Sequence, residues 1–427
     1  MLIGPYFALG KSSNLSSWYR NSHAIRPNTS ASEFGFRRGA AVELQYNKWN
    51  AVIFGSRQKL DGSIDTLNNL VKSVSINGLH RTESEYARQN LITQNMYGAM
   101  LTYATDKFEI GGSFLSSREF AKKSKIPGAS MYNSLAAKYR LKNGIIFGEI
   151  AYDYQSSEAS MVYGILTQLG NGVNFASIYR NYKANFESPL SNAFAATSSN
   201  NEIGIISGLE FIINKNLKLA TYADFYERPD GNISLDYATK HQDVLLQLTA
   251  LKKRKWESYI RYRYRINTEK SESVSDAKIP LSENISKHNL RLNSVFNASK
   301  EWRFSNRVEL VTSENKNGFL VYFDLQWRPI ELPWAIDFRY AIFDTESFDQ
   351  AIYAYESSLP YSWSIPPYYN RGSRKYIQIR YKGFRKASIW VRYAIWNYDN
   401  ISSISSGNDA IMSNKRGDLS LMFRYKF

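Results

Sequence analysis

Leu419-Ser-Leu-Met-Phe-Arg-Tyr-Lys-Phe427 alternates at every step. Leu419, Leu421, Phe423, Tyr425 and Phe427 fall on one face, and Ser420, Met422, Arg424 and Lys426 on the other. A period of two places successive side chains on opposite sides of a strand, so the stretch predicts a β-strand with one apolar and one polar face. The same pattern recurs upstream. Phe319, Val321, Phe323, Leu325 and Trp327 oppose Tyr322, Asp324, Gln326 and Arg328. Trp334, Ile336, Phe338, Tyr340 and Ile342 oppose Asp337 and Arg339, and Ile389, Val391, Tyr393 and Ile395 oppose Ser388, Arg392 and Ala394, with Trp390 and Trp396 on that second face. Trp256, Ile260, Tyr262 and Tyr264 oppose Glu257, Arg261, Arg263 and Arg265. Strands of soluble sheets average about 5–6 residues. These segments run near the roughly 9–11 residues that a tilted strand needs to cross a bilayer.

The connections alternate as well. Tight links are predicted at Asn47-Lys48, Thr105-Asp106, Lys142-Asn-Gly144, Gly170-Asn-Gly172, Asn214-Lys-Asn216, Ala298-Ser-Lys300 and Lys382-Gly383. Long polar loops are predicted over 59–90, 117–130, 184–199, 267–286, 346–372 and 397–415. Short turns at one end and long loops at the other are the layout of an outer-membrane barrel, with the short turns periplasmic. The expectation is therefore all-β: residues 1–427 as one large closed antiparallel transmembrane β-barrel of about 20 strands, roughly 18–22, since strand boundaries shift by a few residues.

Composition narrows the alternatives. A charged fraction of 22% and a mean hydropathy of −0.42 exclude a polytopic helical membrane protein. The longest uncharged run, Ala159 to Tyr179, is broken by Gln168, Gly170-Asn-Gly172 and Asn174, and the Gly-Asn-Gly reads as a hairpin turn. A bilayer-spanning chain without helices must close into a barrel to satisfy its backbone. Cysteine is absent, which excludes disulfide staples, Cys-ligated metals and a thiol nucleophile. The four histidines, His23, His80, His241 and His288, are far apart, so no metal or cofactor is expected. With 31 Tyr, 23 Phe and 9 Trp, aromatics reach 15% of the chain, enough for girdles at both bilayer boundaries. Tyr46, Trp49, Tyr103, Tyr182, Trp302, Trp327, Trp334, Tyr381 and Trp396 lie near predicted strand ends. The outer-membrane lipid is then the first partner. The barrel-assembly machinery is the second, with the terminal Phe427 as its candidate signal.

The strongest charge feature is the ladder Arg261, Arg263, Arg265, whose side chains point the same way on a strand. Two arrangements are open: a positive lumen wall favouring anions, or pairing with carboxylates on neighbouring strands. The net charge of +16 invites a nucleic-acid reading. Against it, the clusters Lys252-Lys-Arg-Lys255 and Arg385-Lys386 sit at predicted periplasmic turns, where such residues meet lipid headgroups or cap turns. The loop Leu60–Asn90, with His80, Arg81, Glu83, Glu85 and Arg88, folds inward as a constriction, covers the mouth or stays mobile. The loop Tyr353–Tyr369, with Pro360, Trp363, Pro366 and Pro367, either stacks on sugars or bases or packs on the rim. Catalysis has little support. Asp349 with Glu356 and Asp224 with Glu227 are close in sequence, and His288 stands on a strand, but no GxSxG, HExxH, phosphate-loop or dinucleotide motif is present.

More specific than the alternation are ordered stretches along the chain. They are Ala8-Leu-Gly-Lys-Ser12, Ile25-Arg-Pro-Asn-Thr-Ser30, Phe36-Arg-Arg-Gly-Ala40 and Gly78-Leu-His-Arg-Thr-Glu83. Later come Arg180-Asn-Tyr182, Asn201-Glu202 before Gly204, Phe343-Asp-Thr345, Tyr353-Ala-Tyr-Glu356 and Gly372-Ser-Arg-Lys-Tyr376. Taken in order, they resemble the barrel region of outer-membrane proteins whose precursors carry helix-hairpin-helix repeats, a competence or DNA-uptake-like family. The resemblance implies a signal peptide and nucleic-acid-binding repeats ahead of the barrel. No such helix pair is present in this sequence, so a chain truncated at its N-terminus is expected. Function then divides. One reading is non-enzymatic passage of a polar solute or a polymer such as DNA, or anchoring of a periplasmic module that handles it. The other is a structural or assembly component of an outer-membrane complex.

Overall fold

The computed structural model describes residues 7–22, 25, 28–29, 35–65, 67, 70–75, 78, 80–121, 129–186, 188, 190, 193–195, 200–231, 237–270 and 282–426. Strands β1 (Phe7–Leu9) and β2 (Tyr19–Asn21) make a small hairpin around a single 3-10 turn at Leu15–Ser17. Next come β3 (Gly39–Tyr46), β4 (Trp49–Asp65), β5 (Leu70–Ser75), the short helix α1 (Glu83–Ala87), β6 (Ile92–Ala104) and β7 (Phe108–Ala121). They are followed by β8 (Ser130–Leu141), β9 (Gly144–Asp153), β10 (Glu158–Gly170), β11 (Val173–Tyr182), β12 (Glu202–Asn214) and β13 (Leu217–Arg228). Then come β14 (Thr239–Lys252), β15 (Trp256–Lys270), β16 (Ser282–Asn297), β17 (Trp302–Ser313), β18 (Lys316–Trp327) and β19 (Trp334–Thr345). The short β20 (Ile352–Tyr353) and β21 (Pro367–Tyr368) pair with each other, and β22 (Arg371–Tyr381), β23 (Ala387–Tyr398) and β24 (Lys415–Tyr425) complete the chain.

Twenty of these strands, β3 to β19 and β22 to β24, form one closed barrel in chain order. Closure removes the unpaired edges that lipid cannot solvate. No helix among the described residues is long and apolar enough to cross a membrane. Two compact units make up the chain. One comprises 1–210, 222–242 and 268–282; the other comprises 211–221, 243–267 and 283–427.

The faces of the strands are inverted relative to a water-soluble sheet. Large apolar side chains point outward and are exposed, among them Ile53, Leu101, Phe114, Ile150, Phe323, Tyr340 and Tyr393. Their polar neighbours one residue away are buried on the inner side, among them Ser113, Glu149 and Arg392. Such a continuous exposed apolar surface is stable only when lipid covers it. The chain is a transmembrane barrel of the outer-membrane type. Across β4–β6, β17–β18 and β19–β22 the register sets Trp49 opposite Tyr103, Trp302 opposite Trp327 and Trp334 opposite Tyr381. Their ring centroids are 4.9, 5.8 and 4.5 Å apart. All three pairs stand at the short-turn end, as an aromatic girdle would. Tyr182 and Trp396 do not join it: both are buried, because the phase of β11 and β23 turns them inward.

Several predicted loops are shorter than the sequence suggests. β4 runs on to Asp65, and its last residues, Asp61–Asp65, pair with β5, while Trp49–Leu60 of the same strand pairs with β6. β7, β15 and β16 likewise extend into the predicted loops 117–130 and 267–286. The loop end also contains tight turns. Glu314 and Asn315 both have positive φ, 51° and 62°, which is the backbone of a primed two-residue hairpin joining β17 to β18. Polar strand ends outside the bilayer lack the apolar alternation that marks a strand in sequence, which is why they read as loop.

Candidate functional site

Arg261, Arg263 and Arg265 stand on β15 opposite the exposed Trp256, Ile260 and Tyr262, so they face inward. Arg263 forms a two-bond pair with Asp243 of β14, Nε to Oδ1 at 2.8 Å and Nη2 to Oδ2 at 2.7 Å. Arg261 Nε donates to Gln247 Oε1 at 2.7 Å, and none of the three arginines is without a partner. At Arg263 the wall is a paired charge. Phe427 lies outside the described residues.

Neither carboxylate pair becomes an acid–base couple. Asp349 is exposed in a single 3-10 turn, whereas Glu356 is fully buried. Asp224 is buried and ion-paired, as described below. The His288 ring shares a hydrogen bond with the Tyr262 hydroxyl, 2.7 Å from Nδ1, rather than with a serine. Among the described residues no group of three His, Asp or Glu is placed to hold a metal.

In the second unit the connection between β19 and β22, residues 346–370, is built into the barrel wall. Its upper part packs on the inner wall through an apolar cluster that joins Ile352, Ala354 and Tyr368 to Val311, Leu320, Phe343, Trp396 and Tyr398. Phe343 lies edge-on to both Tyr368 and Trp396, centroids 5.6 Å apart in each case. Below this cluster Glu356 is gripped by the wall. Its carboxylate accepts from Arg374 Nε and Nη2, each at 3.1 Å, from Arg392 Nη2 at 2.5 Å and from the Tyr368 hydroxyl at 2.8 Å. Burial pushes this carboxyl up, but Arg374, Tyr368 and Arg392 outweigh it and hold the group below the usual carboxylate range.

The backbone of the loop is held too. Arg339 Nη1 donates to the Tyr355 carbonyl at 2.7 Å, while its other nitrogens clamp Asp324 at 2.5 and 2.7 Å. Arg392 Nε donates to the Ser357 carbonyl, and the Ser357 N–H donates to the Tyr376 hydroxyl, both at 3.0 Å. Asp324, Arg339 and Tyr376 lie side by side across three strands, Arg339 and Tyr376 about halfway along theirs and Asp324 nearer the short-turn end of β18. Still lower, the Tyr361 hydroxyl is 3.2 Å from Arg424 Nη1, at the short-turn end of β24. An extracellular connection therefore descends the inner wall over nearly its whole height. Its lowest turn is strained. The Ser362 N–H bonds to the Leu359 carbonyl at 3.1 Å, with Pro360 and Tyr361 between them and Tyr361 at φ +69°. That is the third position of a type II turn, which suits Gly; a bulky residue there costs on the order of 1–3 kcal/mol.

In the first unit the N-terminal hairpin lies on the inner wall of β8–β13. Trp18 is fully buried and edge-on to Tyr222 at 6.2 Å, and Tyr19 meets Phe147 at 5.0 Å. Lys11 Nζ reaches Asp224 Oδ2 at 2.9 Å. Asp224 also takes Arg180 Nη1 at 2.9 Å, and Arg180 Nε bonds Glu202; the side chains of these three residues are fully buried. Where it is described, the loop 60–90 carries a bonded network of its own. Asp61 accepts from the Asn90 N–H and pairs with His80 Nε2 at 2.6 Å, and Thr82 and Glu85 close a capping box on α1. Side-chain and backbone bonds from Arg81 lower the Glu85 carboxyl to about 2.

Sequence reasoning named the aromatic loop 353–369 and Glu356 but did not bring Arg374 and Arg392 to that carboxylate. Both arginines sit at inward-phase positions of alternating strands, which is the only sign the sequence gives of them.

No family model and no curated protein matches the chain. Solved structures do. The FrpB iron transporter from Neisseria meningitidis aligns at 9% identity over 91% of this chain and 72% of its own, with a TM-score of 0.45. The copper transporter OprC aligns at 11% identity over 99% of this chain and 76% of its own, with a TM-score of 0.48. OmpTdeltaL8, a loop-deletion mutant of an outer membrane protein of Vibrio cholerae, aligns at 10% identity over 78% of this chain and 99% of its own, with a TM-score of 0.34.

Proposed function

We propose that this chain is an outer-membrane conduit for polar solutes, narrowed by its own loop 346–370. The observation that carries the reading is the burial of Glu356 between Arg374 and Arg392. A barrel that served only as a scaffold would have no use for a loop clamped along its inner wall by paired charges. A conduit needs one, because a fixed constriction lined with ionised groups sets which solutes pass. Lipid and the barrel-assembly machinery are the partners this reading requires, and no catalytic group enters it.

Reconstitution in planar bilayers tests it. The whole chain should give steady, ion-selective conductance, and a variant lacking 354–366 should give a larger one. Silence from both proteins would favour the scaffold. The resemblance to helix-hairpin-helix barrel proteins adds a narrower version, in which the solute is a polymer such as DNA. Its support is the order of the sequence stretches alone. Single-stranded DNA should then block the current from one side, and an unblocked current at micromolar DNA would remove that version.

A further inference from the structure

Five cations crowd the inner face at the short-turn end of the second unit. Arg328 directly follows β18, Arg380 and Lys382 flank the last residue of β22, and Arg424 and Lys426 flank the last residue of β24. Among the described residues the carboxylate facing them is Asp337, which bonds Arg328 Nη2 at 3.3 Å. The Nε atoms of Arg380 and Arg424 are buried without a hydrogen-bond partner. Arg380 above all, then burial, then Arg424, Lys426 and Arg328, hold the Lys382 ammonium below the usual lysine range. Like charges gathered this closely raise one another's energy until an anion joins them.

The loop tip lies on this row. Tyr361 touches Arg424, in a backbone conformation that glycine would adopt without strain. Two residues on, Trp363 is 80% exposed and stands edge-to-face with Tyr355, centroids 6.1 Å apart. Ser364 turns back to the wall, its carbonyl accepting from the Glu356 N–H at 2.9 Å, so the indole stands off the wall with a face open. Strain that persists in a clamped loop tip points to a use for the side chain held there.

We propose that the basic row and the aromatic loop tip form one binding site for small solutes that join an aromatic ring to a phosphate, the class of the mononucleotides. The phosphate meets Arg380 and Arg424, and the ring stacks on Trp363. This names the solute class of the conduit proposed above and rests on that reading for its purpose, but binding is measurable without any current.

The test uses the full chain in detergent, with adenosine monophosphate, adenosine and inorganic phosphate as probes, followed by tryptophan fluorescence and calorimetry. The monophosphate should bind more tightly than either fragment by about five-fold or more, and less tightly as salt rises. Arg380→Gln with Arg424→Gln should abolish binding of both the monophosphate and phosphate. Trp363→Ala should weaken the monophosphate and leave phosphate unchanged. Far-UV circular dichroism checks that each variant keeps its sheet, and the probe series on the unaltered protein stands if one does not. Equal affinity for the monophosphate and phosphate, equal affinity for the monophosphate and adenosine, or no binding to folded protein each overturns the proposal. Conductance measured in parallel reports on the conduit by itself.

Discussion

Arg392 Nη2 lies 2.5 Å from Glu356 Oε2, although one residue is midway along a barrel strand and the other belongs to an extracellular connection. Arg374 grips the same carboxylate from the neighbouring strand, and all three side chains are buried. A carboxylate taken out of water is tolerated only when its lone pairs are filled. Here Tyr368 and the two arginines fill them. The loop is thus tied to the wall at this point by one buried charge.

Glu356→Gln should release the loop. Removing one partner of a buried charge cluster costs about 3–5 kcal/mol, because the remaining charges stay buried and unpaired. The apolar cluster around Tyr368 and Trp396 would still hold the upper part. The expected outcome is a barrel that stays folded, with faster protease cleavage near Pro360 and a larger, noisier conductance. An unchanged cleavage rate would show that the apolar cluster alone fixes the loop.

Acid should do reversibly what that substitution does. The Glu356 carboxyl titrates below its unfolded value of 4.5, so the clamp is fully present above that pH and is lost as pH falls through the lower, folded value. The arginines keep their charge throughout. Conductance and loop protection should therefore be flat from pH 8 to about 5 and change only in more acidic buffer. A transition near neutrality would assign the clamp to another group.

How much of this was legible in the sequence follows from where lipid touches it. Leu421 and Phe423, or Phe319 and Phe323, are apolar because hydrocarbon solvates them, so the alternation betrays the strand and its outer face. The inner face carries no such signal. Asp243 and Arg263, or Glu356 and Arg392, are partners only because strand register and loop descent bring them together, and both depend on the whole sheet. The loop-end extension of β4 was missed for the opposite reason. Beyond the bilayer its residues, such as Asp61 and Ser63, have no lipid to face and no alternation to show.

Adjacent residues on opposite faces give a direct check of the solvent. Leu421 is 71% exposed on the outer face near the middle of β24, and Ser420 points inward. Leu421→Arg should cost about 2–4 kcal/mol in a lipid-embedded barrel, the price of a midplane cation. Ser420→Arg should stay within about 1 kcal/mol, as lumen substitutions do. Urea titrations in lipid vesicles measure both, and equal costs would contradict a lipid-facing outer surface.

Asp224 is the hinge of the first unit's interior, since it serves Lys11 on the N-terminal hairpin and Arg180 on the wall at once. Arg180→Met leaves Asp224 and Glu202 buried without their shared cation, a loss of about 3–5 kcal/mol. Lys11→Met removes one charge-assisted bond from a side chain that is 19% exposed, so about 1.5–3 kcal/mol is expected. The two effects should also differ in kind. Trp18 and Tyr19 keep the hairpin on the wall after the loss of Lys11, so Lys11→Met should raise protease cleavage within residues 10–17 only modestly and leave the sheet intact. Arg180→Met should lower the urea midpoint of the barrel itself, because its partners sit on β12 and β13 and not on the hairpin. Equal shifts in both measurements would mean that hairpin and wall unfold as one unit.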